Sequence, residues 1–143
     1  EGLAHKAAAV DAALARHAEV DAPIEVLRRL GGRELVAMAA AVVAARERAV
    51  PVLVDGFVAS AAVLPLARVD AGALDHARLG HLSSETGHRR LAEALGLRPL
   101  RALDMRLGEA SGATLAITLV RAALACHAGM ATFAEAAVDD RTG

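Results

Sequence analysis

The chain has 143 residues with 16 basic and 17 acidic side chains, which is the length of one domain with a net charge of −1. Hydrophobic residues make up 55% of the chain and charged residues 23%, which excludes a disordered protein. The balanced charge and the 1% of aromatic residues argue against a binder of phosphate backbones or membrane surfaces, and against a stacking platform for single-stranded nucleic acid.

Three helices are predicted before residue 50. Apolar residues recur at helical spacing over residues 3–19, which predicts an amphipathic helix. Pro23 opens a second, short helix that stops at Gly31 and Gly32. A third helix is predicted over residues 33–48. Because it has no polar face over three turns, we expect it to be buried on most sides.

Strands and helices alternate in the rest of the chain. The segment VPVLVDGF has the run of branched side chains that is typical of a short strand buried on both faces, as in parallel sheets. The alternation predicts an α/β fold with a parallel sheet. The predicted strands lie within residues 50–57, 77–84 and, on a weaker pattern, 100–108, and the predicted helices lie within residues 57–68, 87–97 and 111–128.

The environment of the chain is predicted from its longest apolar run and its cysteine. The run Leu35–Ala45 is shorter than the roughly 20 residues that cross a bilayer, so we expect a soluble protein. The single Cys126 excludes an internal disulfide, fits a reducing compartment, and is expected to be buried in an apolar helix. The chain begins without methionine inside a helical pattern, so we expect a fragment of something longer.

Polar clusters fall at the ends of the predicted strands. Ligands of open parallel sheets bind at the carboxyl ends of the strands, so we expect these clusters to converge on one site. The clusters are Asp55 with Gly56, GHLSSETGH at 80–88, and RLGEASGA at 106–113.

The first two clusters also have structural interpretations. Asp55 can cap the helix that follows it, and Ser83 can do the same for the helix after Gly87. His81 and His88 lack a carboxylate or cysteine at ligand spacing, which disfavours a metal site. A hydrolase triad of Ser83, His81 and Asp55 is disfavoured because no G-x-S-x-G elbow precedes a helix.

The third cluster is a candidate anion site with an unexpected carboxylate. Gly108, Ser111 and Gly112 let backbone N–H groups approach an anion at the start of a long helix, and Arg106 adds a fork for phosphate. Glu109 would repel a phosphate. It is either a charge that partners the helix dipole or a base facing another part of the ligand, and the residues alone favour neither.

Three segments together resemble the C-terminal half of the nicotinate-nucleotide–dimethylbenzimidazole phosphoribosyltransferase family. They are LGGRELVAMAAAVVAARERAVPVLVDGFVASAA, GHLSSETGHRRLAEALGLRPL and DMRLGEASGATLAI, and the resemblance covers about residues 1–135. We therefore expect residues 1–143 to form the C-terminal part of one α/β domain. That part would have a helical segment over 1–30 and βα units over 31–135, in a three-layer, Rossmann-like arrangement of a parallel sheet flanked by helices.

The resemblance implies a reaction that needs neither a cofactor nor a metal. The family moves phosphoribose from nicotinate mononucleotide to 5,6-dimethylbenzimidazole and yields α-ribazole 5′-phosphate and nicotinate, for the lower ligand of cobalamin. Glu109 matches the family's general base, which accepts the benzimidazole N–H proton as the other ring nitrogen attacks C1′ of the ribose. The family's proteins act on small molecules, so a cytoplasmic homodimer is expected for the full-length form, with no nucleic acid or membrane partner.

Further residues match the family's substrate-binding positions. Their implied role is to hold phosphate and ribose so that C1′ faces the nucleophile. They are Arg106, Leu107, Gly108, Ser83 and Lys6.

The chain also departs from the family pattern. Ala110 stands where Gly is usual, so we expect either restricted backbone approach or a φ below zero. Leu82 stands where Arg is frequent, and Thr86 replaces a common Pro. The Gly-rich segment G-E-M-G-I-G-N-T-T of the family is absent. An alternative is therefore a non-catalytic α/β binding module that lacks the upstream half of the site.

Overall fold

A computed structural model describes residues 2–137 of the chain and confirms the α/β class. Residue 1 and residues 138–143 lie outside the described part. In chain order the described elements are α1 (Gly2–Arg16), α2 (Pro23–Leu30), α3 (Gly32–Glu47), β1 (Val52–Val54), α4 (Phe57–Val69), β2 (Ala77–Leu79), α5 (His88–Leu95) and α6 (Ser111–Gly129).

The first two helices differ in how they pack. α1 ends at Arg16, earlier than predicted, and none of its residues is buried; Leu3 is 83% exposed. The predicted bounds of α2 are confirmed: Pro23 lies in its first turn, and Gly31 follows its last residue. α2 packs on α4 and α3 and contributes Leu27 to the core.

The expectation that α3 is buried on most sides is wrong. Only Ala39 and Val42 are buried, whereas Val36 and Val43 on other faces are 40% and 42% exposed. α3 packs against α2 and α4 within the described residues, so one stripe of the helix is covered. An all-apolar helix sequence predicts burial only when a neighbour exists for each face.

Within residues 2–137 the sheet consists of two short parallel strands. β1 pairs with β2 in the register Val52 to Ala77 and Val54 to Leu79. The N–H of Gly80 donates to the Val54 carbonyl at 2.7 Å, which carries the pairing one residue past β2. The predicted strands at 50–57 and 77–84 are thus confirmed as three-residue cores of those segments.

The third predicted strand, at 100–108, does not form as a strand. Isolated parallel bridges join this region to the end of β2 and to the loop after it: Leu79 pairs with Pro99, just before the predicted strand, and Leu82 pairs with Ala102. The pairing is present beside Pro99, where the N–H of Leu100 donates to the Leu79 carbonyl at 2.9 Å, but Asp104 turns the backbone into the left-handed region with φ of 51°. The left-handed turn interrupts a regular ladder, and the three-layer arrangement stays a prediction.

The hydrophobic core lies where α4 meets the sheet and its flanking helices. α4 packs against α2, α3 and α5. The buried cluster contains Leu27, Ala39, Val42, Val54, Val63, Leu66, Leu74, Ala77, Leu79 and Ala92.

α6 confirms the predicted long apolar helix, but it is buried only at its start. Gly112, Ala113 and Ala116 are buried, whereas Leu124 is 61% exposed and Cys126 is exposed, contrary to expectation. By length and composition alone, α6 is the one helix in residues 2–137 that could cross a membrane, although its first turns contact β1.

Candidate active site

The three polar clusters converge on one cleft of about 430 Å³ at the carboxyl ends of β1 and β2. The first cluster follows β1, the second follows β2, and the third forms the loop that leads into α6. This is the place where parallel sheets bind ligands. The cleft is lined by Asp55, Gly56, Phe57, Val58, Ala59, His81, Ser83, Glu85, Met105, Arg106, Gly108 and Glu109.

Asp55 caps a helix, but not the helix that follows it. Its Oδ1 accepts a hydrogen bond from the N–H of Ala113, in the first turn of α6, at 2.8 Å. α4 begins after Gly56 without a side-chain cap. A carboxylate at a helix N-terminus is stabilised by the helix dipole, so the anion position predicted at the start of α6 is already held by Asp55.

His81 lies between Asp55 and the start of α6. It is 4% exposed, and its Nε2 is 3.7 Å from Oδ1 of Asp55. A Cβ on Gly112 would overlap the His81 ring at less than 3.0 Å, and a Cβ on Gly80 would lie 3.0 Å from Cα of Ala113. Glycine at both positions therefore allows α6 to approach the sheet.

Ser83 pairs with His88 and not with His81. The N–H of Ser83 donates to Nδ1 of His88 at 2.9 Å, and the Ser83 hydroxyl is also 2.9 Å from this nitrogen. On the other side of the ring, Nε2 lies 3.0 Å from Oγ of Ser60. The disfavoured triad of Ser83, His81 and Asp55 is thus not assembled, since the histidine beside Ser83 is a different one.

The surroundings of the His88 ring favour its neutral form. The ring has no exposed surface, and burial together with the neighbouring His81 lowers the pKa of His88, partly offset by Asp55. The ring centroids of the two histidines are 6.1 Å apart. A proton on Nδ1 would also break the bond from the Ser83 N–H.

Arg106 lies at the rim of the cleft in an ion pair. Its Nε donates to Oε1 of Glu85 at 3.0 Å, and both side chains are largely exposed. Exposed pairs of this kind contribute little stability, so the guanidinium remains available to a ligand anion. Of the other predicted binding residues, Gly108 and Ser83 line the cleft, whereas Leu107 is 80% exposed and Lys6 lies on α1; neither lines the cleft.

Glu109 lies on the cleft wall in a run of left-handed backbone. Gly108, Glu109 and Ala110 have φ of 81°, 54° and 59°. Of the two alternatives expected for Ala110, a φ below zero is wrong, because the turn into α6 requires the left-handed conformation that glycine adopts at less cost; restricted backbone approach stays a prediction.

The structure bears on the two interpretations of Glu109. Glu109 lies immediately before Ala110, the N-cap of α6, and the first turn of α6 contains no acidic residue. Asp55 takes the first-turn N–H, and within residues 2–137 the Glu109 side chain makes no hydrogen bond. The helix-capping interpretation therefore lacks a contact. Glu109 is exposed, however, so these residues alone do not supply the dry pocket that would raise its basicity.

Sequence reasoning missed residues both behind the cleft wall and at its rim. Ser60 and Glu85 were not identified, and His88 was considered only as a metal ligand. A signal for Ser60 exists, because it is a lone hydroxyl in the apolar run of α4. Such a residue is expected to have a buried partner.

Comparison with known proteins defines the family of the chain. Residues 1–138 match the family described as "Phosphoribosyltransferase", and the chain belongs to this family. The resemblance identified from the three sequence segments is confirmed.

The particular relatives share one name. The nicotinate-nucleotide–dimethylbenzimidazole phosphoribosyltransferase of Methylorubrum extorquens is 54% identical over 143 residues, covering 99% of this chain and 42% of that protein. The protein of the same name from Novosphingobium aromaticivorans is 56% identical over 140 residues, covering 97% and 41%. The crystal structure of the Thermus thermophilus enzyme matches with a TM-score of 0.83 at 48% identity, covering 92% of this chain and 40% of that one. The chain thus spans about two fifths of these relatives.

Proposed function

We propose that this chain supplies the base and part of the substrate site of an enzyme that transfers phosphoribose from nicotinate mononucleotide to 5,6-dimethylbenzimidazole. The observation that carries the proposal is the position of Glu109, a carboxylate on the wall of the cleft beside Arg106, Gly108 and Ser83. The identity to relatives that bear this activity in their names supports it. The products are α-ribazole 5′-phosphate and nicotinate.

Glu109 acts as the general base in this proposal. One nitrogen of the benzimidazole attacks C1′ of the ribose with inversion, and the bond from C1′ to the nicotinate nitrogen breaks with its electron pair on nicotinate. The N–H proton on the other benzimidazole nitrogen passes to the Glu109 carboxylate. Without that transfer, positive charge would accumulate on the attacking ring.

The remaining cleft residues position the nucleotide. Arg106 binds the phosphate through its guanidinium, in exchange for its exposed pair with Glu85. Gly108 brings backbone close to the ligand, and Ser83 contacts the ribose. Lys6 and Leu107 are retained as proposed substrate contacts from the resemblance, although neither lines the cleft of the described chain.

The length of the relatives supports the proposal that the enzyme extends beyond this chain. We propose that a further part of the full-length polypeptide covers Glu109 and dries the cleft, since this chain spans 42% of its Methylorubrum relative. In that setting the βα units of residues 31–135 continue a three-layer, Rossmann-like domain. The enzyme is proposed to be a cytoplasmic homodimer that acts on small molecules.

A product assay tests the role of Glu109. The protein is the product of the complete reading frame that contains this chain, incubated with nicotinate mononucleotide and dimethylbenzimidazole and followed by chromatography of α-ribazole phosphate. Loss of a general base costs about 10²–10⁴-fold in rate, so Glu109→Gln should lose at least about 100-fold. The control Glu34→Gln changes an exposed glutamate on α3, away from the cleft, and should keep the rate.

The outcomes separate the candidate roles. Retention of the rate by Glu109→Gln would show that the base lies elsewhere and that Glu109 is a surface charge. Absence of product from the unmodified protein would refute the transferase and leave the non-catalytic binding module.

A further inference from the structure

The proton positions around His88 follow from one hydrogen bond. A backbone N–H can only donate, so Nδ1 of His88, which is 2.9 Å from the N–H of Ser83, is unprotonated. The neutral ring then carries its proton on Nε2. That N–H donates to Oγ of Ser60 at 3.0 Å. Because His88 has no exposed surface, water does not compete for either nitrogen.

The orientation of the Ser83 hydroxyl follows in turn. Its oxygen is 2.9 Å from the unprotonated Nδ1, and two facing lone pairs would repel, so the hydroxyl donates there and shares the single lone pair of Nδ1 with the Ser83 N–H. The N–H of Glu85 approaches the same oxygen at 3.4 Å. With its proton held by the ring, Ser83 offers the cleft an acceptor and not a donor.

We propose that His88 is a positioning residue that fixes Ser83 as a hydrogen-bond acceptor, so that Ser83 recognises a hydroxyl of the substrate's ribose and not its phosphate. The identity of the substrate rests on the proposed function. Phosphate oxygens accept hydrogen bonds and would meet the lone pairs of Ser83, whereas a ribose hydroxyl donates. Arg106, on the same cleft, presents only donors and suits the phosphate.

The first experiment determines the tautomer without any substrate. The product of the complete reading frame is labelled with ¹⁵N-histidine, and the His88 resonances are assigned by their loss in His88→Asn. We expect the Nε2–H tautomer at neutral pH. A ring protonated on Nδ1, alone or on both nitrogens, would overturn the proposal. This measurement is valid even where no α-ribazole phosphate forms.

The second experiment measures ligand binding by calorimetry. The probes are nicotinate mononucleotide, its 2′-deoxy and 3′-deoxy analogues, and inorganic phosphate. We expect Ser83→Ala to weaken nicotinate mononucleotide by about five-fold, the loss of one hydrogen bond. For one of the two deoxy analogues, Ser83→Ala should not change the affinity, because that analogue lacks the hydroxyl that Ser83 contacts. An equal loss for both analogues, or a loss of phosphate affinity, would overturn the proposal.

A pair of His88 variants separates positioning from structural support. The amide oxygen of Asn can lie near the position of Nδ1 and accept from Ser83, but Asn is too short to reach Ser60. The longer Gln can reach Ser60, but it leaves Ser83 without a hydrogen-bond acceptor. We expect His88→Asn to bind nicotinate mononucleotide within about two-fold of the unmodified protein and His88→Gln to lose about five-fold. If both lose equally, His88 is a structural residue only. If both unfold in thermal melts, the tautomer measurement and Ser83→Ala still decide.

The failure of this inference is distinct from failure of the transferase. A protein that forms α-ribazole phosphate but has the Nδ1–H tautomer refutes the role of His88 alone. A protein that makes no product but binds nicotinate mononucleotide with the expected dependence on Ser83 refutes the reaction and supports the recognition of ribose.

Discussion

The contact between Gly112 and His81 predicts a large effect of one methyl group. In Gly112→Ala the new Cβ would overlap the His81 ring, and the ring is buried against Asp55 and has nowhere to move without loss. Either the ring leaves its place or the start of α6 lifts from the sheet. Lifting of α6 would also break the bond from the Ala113 N–H to Asp55, whereas movement of the ring alone would leave that bond in place.

The size of the effect follows from three contributions. Overpacking a buried site costs about 1–3 kcal/mol. Loss of the hydrogen bond to the charged Asp55 costs about 1.5–3 kcal/mol. Alanine in place of glycine inside a helix returns about 1 kcal/mol. The free energy of unfolding of Gly112→Ala should therefore fall by about 3 kcal/mol if α6 lifts, and by about 1 kcal/mol if only the ring moves.

Urea unfolding of the full-length product measures this, and a double-mutant cycle assigns the cause. His81→Ala removes the ring that the methyl group would meet, so adding Gly112→Ala to it should cost less than about 1 kcal/mol. The matched control is Gly129→Ala, at the other end of α6, where a Cβ has no atom within 4 Å. That control should be neutral or stabilising by up to about 1 kcal/mol.

The cycle also defines what would refute the reasoning. If Gly112→Ala costs the same with and without the His81 ring, the contact between them is not the cause. If Gly112→Ala behaves like Gly129→Ala, α6 does not approach the sheet as closely as described.

Further predictions concern the loop, the rim and the buried histidine. Ala110→Gly should raise the free energy of unfolding, measured in urea, by about 0.5–1 kcal/mol. Removing the strain of a left-handed alanine stabilises the fold by about 1–2 kcal/mol, whereas the greater conformational freedom of glycine in the unfolded chain costs about 0.4–1 kcal/mol. Glu85→Gln frees Arg106 and should lower KM for nicotinate mononucleotide about two-fold at low salt in the product assay. The pKa of His88 is lower in the folded state than its ordinary value of 6.5, so the unfolded state binds more protons as the pH falls below 6.5. The contribution of neutral His88 to the free energy of unfolding is therefore full above pH 6.5, and it is lost as the pH falls from 6.5 to the folded pKa. Urea unfolding at pH 7.5 and about 5.5 should show a smaller drop for His88→Asn than for the unmodified protein.

Each of these has a matched comparison. Ala49, with φ of 54° in the loop after α3, should respond to glycine as Ala110 does without any change in activity; a loss of stability at both would contradict the strain argument. An unchanged or higher KM for Glu85→Gln would argue against Arg106 as the phosphate ligand. Equal pH dependence with and without His88 would show that another group titrates.

The sequence predicts what is decided locally. Pro23 and Gly31 bound α2, and Gly96 ends α5 with φ of 66°, because these signals act on their own backbone. The strand around Val54 is recognised from its own run of branched side chains. The prediction that Glu109 is a general base rests on the family resemblance and not on the spacing of residues.

What the sequence could not predict depends on distant partners. Asp55 bonds a helix 58 residues away, and Ser60 meets His88 across 28 residues, so no local pattern records either contact. The exposure of α3 depends in the same way on which neighbours cover it. The third strand is interrupted where Asp104 takes a left-handed conformation, which the apolar pattern of the segment does not record.

The shallow burial of α6 has a consequence for how the cleft opens. Only the first turns of this helix are anchored to the sheet, whereas the core beneath it is built from α2, α3, α4, α5 and the two strands. α6 and the loop that leads into it therefore form a cooperative unit of lower local stability, which can detach while the core stays folded. The amide of Ala113, whose proton is held by Asp55, exchanges with solvent only when that unit detaches, so its hydrogen exchange measures how often the cleft loses the wall that carries Glu109.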